Sequence, residues 1–481
     1  MKIVIVGGGT IGWLASYYLS QGHSVVNIST DDIPIIGVGE GTTGKFLDIL
    51  KGTNITELLL NLDALPKLGI KFSGWNNSNT DFFSPLDGTR TAGYYIDYST
   101  YASYIGDHPL GTVSNLSVLS TLGASNYYHD DDQLKVDYAS HGFHLDAYKT
   151  SDYFKKESIL RKVRHYNNKV VKVNRDNNIV TSLDLDDGRS VSADLFIDCS
   201  GFAKVLSNDM GWVDYSKYLP VNRALIYDGG DSVKQSYTLA TARKYGWTWE
   251  IPTRNKIGRG YVYCDKYASE DDVLKELGDV DKIRSISFDS GRIDKFIQGN
   301  VISIGLSSGF LEPLQATSIH CAIMQMELAY YSFPDKEFLN NELSIARYNQ
   351  LCARLYDDMR DFVSLHYSGG KTDSEFWKNT VLPHRTNNLI NLAKTRLLRS
   401  FDFEHTSGTV KQESWNPILA GLGHFNKCSI PTVFDSDGAN IQWWINDNES
   451  FVANLESEMN VKKYLTTDHL DAILASVPKR L

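Results

Sequence analysis

A short apolar run that ends in a glycine cluster opens the chain. Residues 3–6 are Ile-Val-Ile-Val, and Gly7, Gly9 and Gly12 follow at the spacing G-x-G-x-x-G. The run predicts a buried parallel strand, and residues 13–19 predict the helix after it. Glycine is needed at such a turn because the backbone approaches a pyrophosphate closely while the helix packs on the strand. The helix N-terminus offers free N–H groups to the phosphates, so the sequence predicts a dinucleotide cofactor.

The composition is typical of a globular protein in a reducing compartment. The 481 residues are 42% hydrophobic and 22% charged, with a formal net charge of −10. This length allows two to three domains, and the acidic balance disfavours nucleic acid as a partner. The five cysteines lie far apart without a C-x-x-C pair, which predicts neither a disulfide framework nor a metal site. Neither a signal peptide nor a membrane span of about eighteen apolar residues is recognisable, so we expect a cytoplasmic protein.

Later glycine turns and one glycine-rich loop complete the predicted nucleotide site. Residues 194–199 and 300–304 predict buried strands that end in small-residue turns, as expected where strands of a nucleotide fold return to the site. The loop I-P-I-I-G-V-G-E-G-T-T at 33–43 contains Glu40, which is either free to accept a ribose or ring hydrogen bond or simply solvated. Asp31 and Asp32 follow the second predicted strand, 24–29, slightly too late for the usual ribose-binding acid.

The rest of the chain divides into a polar excursion, small sheets and a helical end. We expect helices over residues 53–65 and 141–165, little regular structure over 76–135, and a β-meander at 170–173, 180–185 and 191–193. Pro313 suits the first turn of a helix that opens there, and residues 320–333, 340–367 and 387–398 predict further helices. Trp247 and Trp249 lie two apart on a predicted strand and therefore face one side, in the core or in a site.

These segments, taken in this order, resemble the flavin-dependent halogenases of the tryptophan-halogenase family. The matching blocks are GGGTIGW, IPIIGVGEGTT, K-x-GIKF-x-x-W, ADLFIDCSGF, GWTWEIP, GRGYVY, SIGLSSGFLEPL and ESWNPILAGLG, and they cover most of the chain. The W-x-W-x-I-P element, formed by Trp247, Trp249, Ile251 and Pro252, is the family's most specific mark and separates it from related flavin monooxygenases. The Asn-, Lys- and Tyr-rich composition is compatible with an AT-rich genome and with a marine phage origin.

The resemblance implies an α/β fold, a Rossmann-like FAD-binding module of the flavin monooxygenase type with a β-sheet insertion and a mostly helical C-terminal substrate region. It places the module at residues 1–330, with inserted substrate-site and tunnel segments at about 50–160 and 205–295, and the helical region at 331–481. It also implies FAD as the cofactor, delivered as FADH2 by a separate flavin reductase. The other reactants are O2, a halide ion and a small aromatic substrate, and a homo-oligomer is compatible with the sequence.

The resemblance assigns the central catalytic role to Lys67. Taken alone, a lysine after a proline predicts a solvated surface residue, because lysine is rarely buried. The family lysine nevertheless matches Lys67 in K-x-G-I-K-F and not Lys71. In the family, reduced FAD and O2 oxidise halide to hypohalous acid, which passes through a tunnel to the lysine. The lysine holds the halogen by hydrogen bonding or as a haloamine and presents it to an electron-rich ring. We therefore expect burial to lower its pKa.

The resemblance also assigns the cofactor and halide contacts. The backbone N–H groups of Thr317 and Ser318 correspond to the family's halide site beside the flavin. The flavin contacts that carry over are Gly7, Gly8, Gly9, Ile11, Gly12, Thr30, Ile33, Glu40, Val170, Leu306 and Ile319.

One departure from the family pattern bears on the substrate. The second glutamate of the family's E-P-L-E is Gln315 here, and a carboxamide cannot act as a base at neutral pH. Glu312, the first glutamate, is retained, but we do not expect it to substitute. The sequence therefore predicts a permissive enzyme for electron-rich aromatics that uses free tryptophan poorly. We also expect bromide and iodide to be used at least as well as chloride, because they are oxidised more easily and Ser318 replaces a family glycine next to the anion site.

Two alternatives stay open. One is a flavin monooxygenase or oxidase that hydroxylates an aromatic substrate. The other is a flavoprotein that binds without catalysis, in which Gln315 is a sign of decay. The W-x-W-x-I-P element and Lys67 favour the halogenase over the monooxygenase. Loss of FAD binding, or failure to halogenate any ring in a broad panel, would favour the non-catalytic flavoprotein.

Overall fold

The apolar run at the start of the chain forms the strand Lys2–Val6 within a largely parallel sheet. The computed structural model describes residues 1–35, 37, 39–50, 53–87, 114–130, 133–137, 140–230, 234–395, 409–425, 450, 453–455, 457 and 463–476. Among these residues, the first sheet has six strands in the spatial order Arg164–Asn167, Ser24–Ser29, Lys2–Val6, Leu195–Asp198, Val301–Ser303 and Ile297–Gln298. Neighbouring strands are parallel except for the last pair. The predicted parallel sheet is therefore present.

The glycine turn after the first strand packs tightly against the sheet. Gly7 has a φ of +139°, and a Cβ at this position would lie 2.2 Å from the carbonyl oxygen of Cys199. A Cβ at Gly12 would lie 2.2 Å from the carbonyl oxygen of Gly7. The helix Thr10–Leu19 begins here and buries Trp13 in the core. Only glycine allows the helix and the strands to come this close.

A second sheet carries the tryptophan pair. Its seven strands among the described residues are, in spatial order, Lys282–Ser287, Arg223–Asp228, Ile257–Tyr263, Gly246–Pro252, Tyr237–Arg243, Gly69–Ser73 and Phe82–Pro85. Neighbours are antiparallel, apart from Tyr237–Arg243 and Gly69–Ser73, which run parallel. Trp247 and Trp249 are both buried, with ring centroids 6.2 Å apart. The prediction that they share one side of a strand is confirmed.

A small sheet connects the glycine-rich loop to the lysine motif. Glu40–Gly41, Gly142–Leu145 and Leu65–Lys67 pair antiparallel, with the middle strand between the other two. Glu40 lies opposite Leu145, and Lys67 lies opposite Gly142. This pairing brings Lys67 close to the nucleotide-binding part of the chain.

The remaining strands form small sheets. The predicted β-meander is present as Val170–Asp176, Ile179–Leu185 and Ser190–Val191. A second group pairs Val213–Asp214, Gly291–Arg292 and Gly309–Phe310, and a third pairs Tyr127–Asp130 with Gln133–Val136.

The carboxyl-terminal part of the chain is mostly helical where it is described. The helices of the described residues are Thr10–Leu19, Lys45–Ile49, Ile55–Asn61, Asn115–Thr121, Ala147–Leu160, Glu270–Leu277, Thr317–Ser332, Glu342–Leu365, Glu375–Lys378, His384–Thr395, Gln412–Gly421 and Thr467–Ser476. Short 3-10 turns lie at Gly201–Ala203, Gly305–Ser307, Leu314–Ala316, Phe338–Asn340 and His366–Ser368. Across the described parts of the chain, every helix is too short or too polar to cross a bilayer. The proposed domain division at residue 330 stays a prediction.

Two helix predictions are wrong in extent because distant strands pair with the residues concerned. The helix predicted over 53–65 covers only Ile55–Asn61, and Leu65–Lys67 is a strand. The segment 141–165 begins with the strand Gly142–Leu145 and continues as the helix Ala147–Leu160. Asp146 caps that helix by accepting a hydrogen bond from the Lys149 N–H. Hydrogen bonding between remote strands outweighs local periodicity here.

The polar excursion contains more regular structure than the sequence predicts. Within 76–135 the chain forms the strand Phe82–Pro85, the helix Asn115–Thr121 and two paired strands after it. Residues 88–113, 131 and 132 of this segment lie outside the described residues, as do Ile36 and Val38 of the glycine-rich loop.

Candidate active site

A cavity of about 760 Å³ opens at the carboxyl ends of the parallel strands, beside the first glycine turn. This volume lies within the range of about 300 to 1,000 Å³ that is usual for cofactor and ligand sites. All eleven residues predicted to contact the flavin line it: Gly7, Gly8, Gly9, Ile11, Gly12, Thr30, Ile33, Glu40, Val170, Leu306 and Ile319. The fold therefore brings together residues from five separate parts of the sequence.

The cavity has features that suit a dinucleotide. A Cβ at Gly9 would meet no atom within 4 Å, so the backbone there faces open space. The helix Thr10–Leu19 has no side-chain cap, which leaves the N–H groups of its first turn for a ligand. The Glu40 Oε2 atom is buried and has no hydrogen-bond partner among the described residues, and burial raises the Glu40 pKa to about 7. Glu40 thus has one unsatisfied carboxylate oxygen in the wall of the cavity and is not a solvated surface acid.

The two aspartates after the second strand are less suited to a ligand. Asp31 lies at the cavity wall but forms an ion pair of 3.0 Å with Lys155. Asp32 does not line the cavity and pairs with Lys169 at 3.1 Å. Both carboxylates are therefore already paired with lysines that line the cavity.

A second, much smaller cavity of about 30 Å³ contains the predicted catalytic lysine. Lys67, Gln315 and Trp247 line it, together with parts of the second sheet. Five residues line both cavities and so form a shared wall: Gly41, Trp249, Ile251, Pro313 and Ala316. Two of the four W-x-W-x-I-P residues, Trp249 and Ile251, are therefore part of the wall. Pro252 is buried and lines neither cavity.

Lys67 is a buried amine, contrary to the surface position that its local sequence predicts. The side chain is 1% exposed, and burial lowers the pKa of Lys67 from 10.5 to about 7. Among the described residues, no carboxylate lies within ion-pair distance of its Nζ atom. A Cβ built on Gly41 would lie 3.1 Å from this Nζ, so the amine touches the shared wall. Lys71, by contrast, points outward to an ion pair of 2.8 Å with Asp81.

Gln315 adopts a strained backbone conformation at the entrance to a helix. Gln315 and Ala316 have φ values of +64° and +54°, in the left-handed region that side-chain-bearing residues rarely occupy. The helix that was predicted to open at Pro313 is instead a 3-10 turn over Leu314–Ala316, and the α-helix begins at Thr317. The two left-handed residues break the helix there. They aim the Gln315 side chain into the protein, where its Nε2 lies 2.9 Å from the Nε2 of His366.

The predicted halide residues lie at the start of this helix. The helix Thr317–Ser332 has no side-chain N-cap, and Ser318 lines the large cavity. Thr317 is buried, and its Oγ1 atom has no hydrogen-bond partner among the described residues. An uncapped helix start beside an unsatisfied hydroxyl is a suitable environment for an anion.

The sequence missed a buried polar cluster behind Trp247. The Glu312 carboxylate accepts a hydrogen bond from Trp247 Nε1 at 3.2 Å and from the Tyr367 hydroxyl at 2.9 Å. Burial raises the pKa of Glu312 to about 8. Glu312 therefore fixes the tryptophan in the cavity wall and, as expected, does not take the position of Gln315. The sequence analysis predicted no role for Tyr367 or His366.

Comparison with known proteins places these features in a family context. The sequence matches the tryptophan halogenase family over residues 2–435. It is 33% identical over 419 residues to the tryptophan 7-halogenase RebH of Lentzea aerocolonigenes, with 78% of each chain covered. It is 28% identical over an alignment of 494 positions to the tryptophan 6-halogenase SttH of Streptomyces toxytricini, with 91% of this chain and 92% of that relative covered.

A solved structure agrees with this result. BrvH, a flavin-dependent halogenase from Brevundimonas sp. BAL3, superposes with a TM-score of 0.83 at 27% identity and covers 98% of this chain and 99% of its own. The likeness over nearly the whole chain confirms the predicted fold class. These relatives are bacterial and give no support to a phage origin.

Proposed function

The chain belongs to the tryptophan halogenase family, and we propose that it delivers an oxidised halogen from a flavin site to an electron-rich aromatic ring through Lys67. It is an FADH2-dependent halogenase, and its family acts on an aromatic substrate with a halide and O2. A separate flavin reductase is typical of the family. The observation that carries the proposal is the burial of the Lys67 amine in a small cavity that shares a wall with the large one.

The large cavity would hold the FAD. The glycine turn and the uncapped start of the helix Thr10–Leu19 would bind the pyrophosphate, and Glu40 would accept a hydrogen bond from the ribose or the ring. When bound in reduced form, FAD together with O2 supplies the oxidising equivalent that converts a halide into hypohalous acid. The unsatisfied Glu40 oxygen and the open space at Gly9 support this assignment.

The start of the helix Thr317–Ser332 would bind the halide. Its first-turn N–H groups lack intrahelical partners, and the helix dipole favours an anion there. Thr317 adds a buried hydroxyl without a partner, and Ser318 reaches the large cavity. The halide would therefore lie at the boundary between the flavin cavity and the lysine cavity.

Lys67 has both protonation states available near neutral pH, because burial brings its pKa to about 7. The protonated amine can donate a hydrogen bond to the oxygen of hypohalous acid. The neutral amine can attack the halogen, in which case an N–X bond forms, the O–X bond breaks, and the hydroxide takes an amine proton to give water. The aromatic ring then attacks the halogen, the nitrogen keeps the bonding pair and regains a proton, and the ring loses its own proton.

Gln315 bears on which rings can react. A carboxamide cannot remove the ring proton, so a substrate must lose it to water with little help. Phenols and anilines activate their own rings and meet this requirement better than free tryptophan. We therefore infer a permissive enzyme for electron-rich aromatics that also uses bromide and iodide, because heavier halides are oxidised more easily.

The test pairs Lys67→Ala with Lys71→Ala as its matched control. Each protein is supplied with enzymatically reduced FAD, O2 and chloride, bromide or iodide in turn, with a panel of indoles, phenols and anilines. We expect Lys67→Ala to bind FAD and to lose halogenation, while Lys71→Ala keeps it. If a correctly folded Lys67→Ala forms more than a trace of halogenated product, the proposal is contradicted. A hydroxylated product formed without halide would indicate the flavin monooxygenase alternative.

A further inference from the structure

His366 occupies a buried position beside Gln315, a residue that lines the lysine cavity. It follows the helix Glu342–Leu365 directly and is fully buried. Its ring packs among aromatic side chains, with centroids 5.0 Å from Phe72 and 5.4 Å from Phe362. Its Nε2 atom lies 2.9 Å from the amide nitrogen of Gln315.

The surroundings of His366 determine which ring nitrogen carries the proton. Nδ1 lies 3.1 Å from the carbonyl oxygens of both Phe362 and Val363. Carbonyl oxygens only accept hydrogen bonds, so Nδ1 must carry the hydrogen. Burial lowers the pKa of His366 to about 4, and the ring is neutral at working pH. Nε2 therefore presents a lone pair to its neighbour.

This lone pair in turn fixes the Gln315 amide. An acceptor at Nε2 requires a donor opposite it, so the NH2 group of Gln315 faces His366 and the carbonyl oxygen is turned away from it. Among the described residues, no donor lies within hydrogen-bonding distance of the Gln315 Oε1 atom. Gln315 lines the same cavity of about 30 Å³ as Lys67. A cavity of this size has room for one or two molecules as small as water.

We propose that His366 is a positioning residue that holds the Gln315 carbonyl oxygen toward the lysine cavity. There the oxygen accepts a hydrogen bond from the O–H of hypohalous acid while Lys67 engages the halogen. A glutamate at position 315 would face the Nε2 lone pair with a second acceptor, so the neutral histidine and the glutamine form a matched pair. This inference rests on the proposed function of Lys67.

Two substitutions of His366 distinguish the role of its Nδ1 atom from the role of its Nε2 atom. His366→Asn places an amide nitrogen near the position of Nδ1, which keeps the donor to the backbone carbonyls and removes the acceptor for Gln315. His366→Gln places an amide oxygen near the position of Nε2 and so keeps that acceptor. The measured quantity is the halogenated phenol formed per FADH2 oxidised. We expect His366→Asn to lower this ratio about three- to tenfold, the effect of one lost hydrogen bond, and His366→Gln to restore most of it.

A third substitution tests whether the effect passes through Gln315. Gln315→Met should lower the ratio as much as His366→Asn, and adding His366→Asn to Gln315→Met should change nothing further. The rate at which bound FADH2 is oxidised should stay unchanged in His366→Asn and in His366→Gln. A wild-type ratio in His366→Asn, or losses that multiply in the double variant, would overturn the proposal.

A cofactor-free measurement separates this inference from the function of Lys67. Long-range proton–nitrogen NMR of the histidine side chains, assigned with His366→Asn, reports which ring nitrogen is protonated. We expect hydrogen on Nδ1 and none on Nε2. A protonated Nε2 would overturn the proposed amide orientation even if Lys67→Ala abolishes halogenation. Halogenation that persists in Lys67→Ala would contradict the proposed function and leave this spectrum unchanged.

Discussion

Replacing Lys67 by methionine is expected to stabilise the protein while it abolishes halogenation. Lys67 is 1% exposed, and burial lowers its pKa from 10.5 to about 7. At about 1.4 kcal/mol per pKa unit, this difference corresponds to a cost of about 5 kcal/mol for the buried ammonium. At pH 7, where the folded amine is half protonated, about 4 kcal/mol of this cost remains. Methionine has a similar length and no charge, so the free energy of unfolding should rise by up to this amount.

The pH dependence of the effect follows from the direction of the shift. Between pH 7 and pH 10.5 the unfolded chain binds a proton at Lys67 that the folded protein does not bind. Protonation therefore favours the unfolded state, and the stability of the native enzyme increases as the pH rises through this window. Lys67→Met has no such contribution. The difference in free energy of unfolding between Lys67→Met and the native enzyme should be largest below pH 7 and disappear near pH 10.5.

Urea unfolding of the cofactor-free proteins at pH 7 and pH 9.5 measures this difference. The control is Lys71→Met, because Lys71 lies 2.8 Å from Asp81 in a partly exposed ion pair. Removing such a pair changes stability by about 0 to 1 kcal/mol. An unchanged or lower stability of Lys67→Met at pH 7 would refute the reasoning. So would an advantage of equal size at both pH values, since it would not come from the charge.

Three further predictions concern the chemistry. Gly41→Ala places a methyl group 3.1 Å from Lys67 Nζ on the shared wall. We expect up to a hundredfold less halogenated product per FADH2 oxidised, with unchanged FAD binding. An unchanged product ratio would show that the halogen does not pass this point. Gln315→Glu should leave FADH2 oxidation intact and change turnover most on weakly activated rings, by about a hundredfold where the carboxylate acts as a base. Parallel assays on a phenol and on free tryptophan check this, and efficient regioselective chlorination of tryptophan by the unmodified enzyme would contradict it. In competition at equal concentrations, bromide and iodide should be used at least as well as chloride, because heavier halides are oxidised more easily. Exclusive chlorination would contradict this prediction.

Local chemistry was enough to predict the nucleotide-binding part of the fold. An apolar strand that runs into Gly7 and Gly12 permits few arrangements, because a Cβ at either glycine would overlap the backbone. The long helices near the carboxyl end likewise follow from their own periodicity. The helix predictions over 53–65 and 141–165 were wrong where the residues pair with remote strands, since a short apolar stretch does not specify its partner.

The sequence by itself determined the dinucleotide cofactor class from its glycine spacing and the family from its matching motifs, and the resemblance to that family then implied the candidate lysine. Only the tertiary structure decided that this lysine is buried and that its pKa is lowered. Lys67 is buried because the strand Leu65–Lys67 pairs with Gly142–Leu145 and the lysine side chain lies beside Gly41, both from distant parts of the chain. The contact between His366 and Gln315 likewise joins two residues that are far apart in the sequence. A pKa and a hydrogen-bonding role depend on the solvent that the surrounding atoms exclude, and no local pattern contains those atoms.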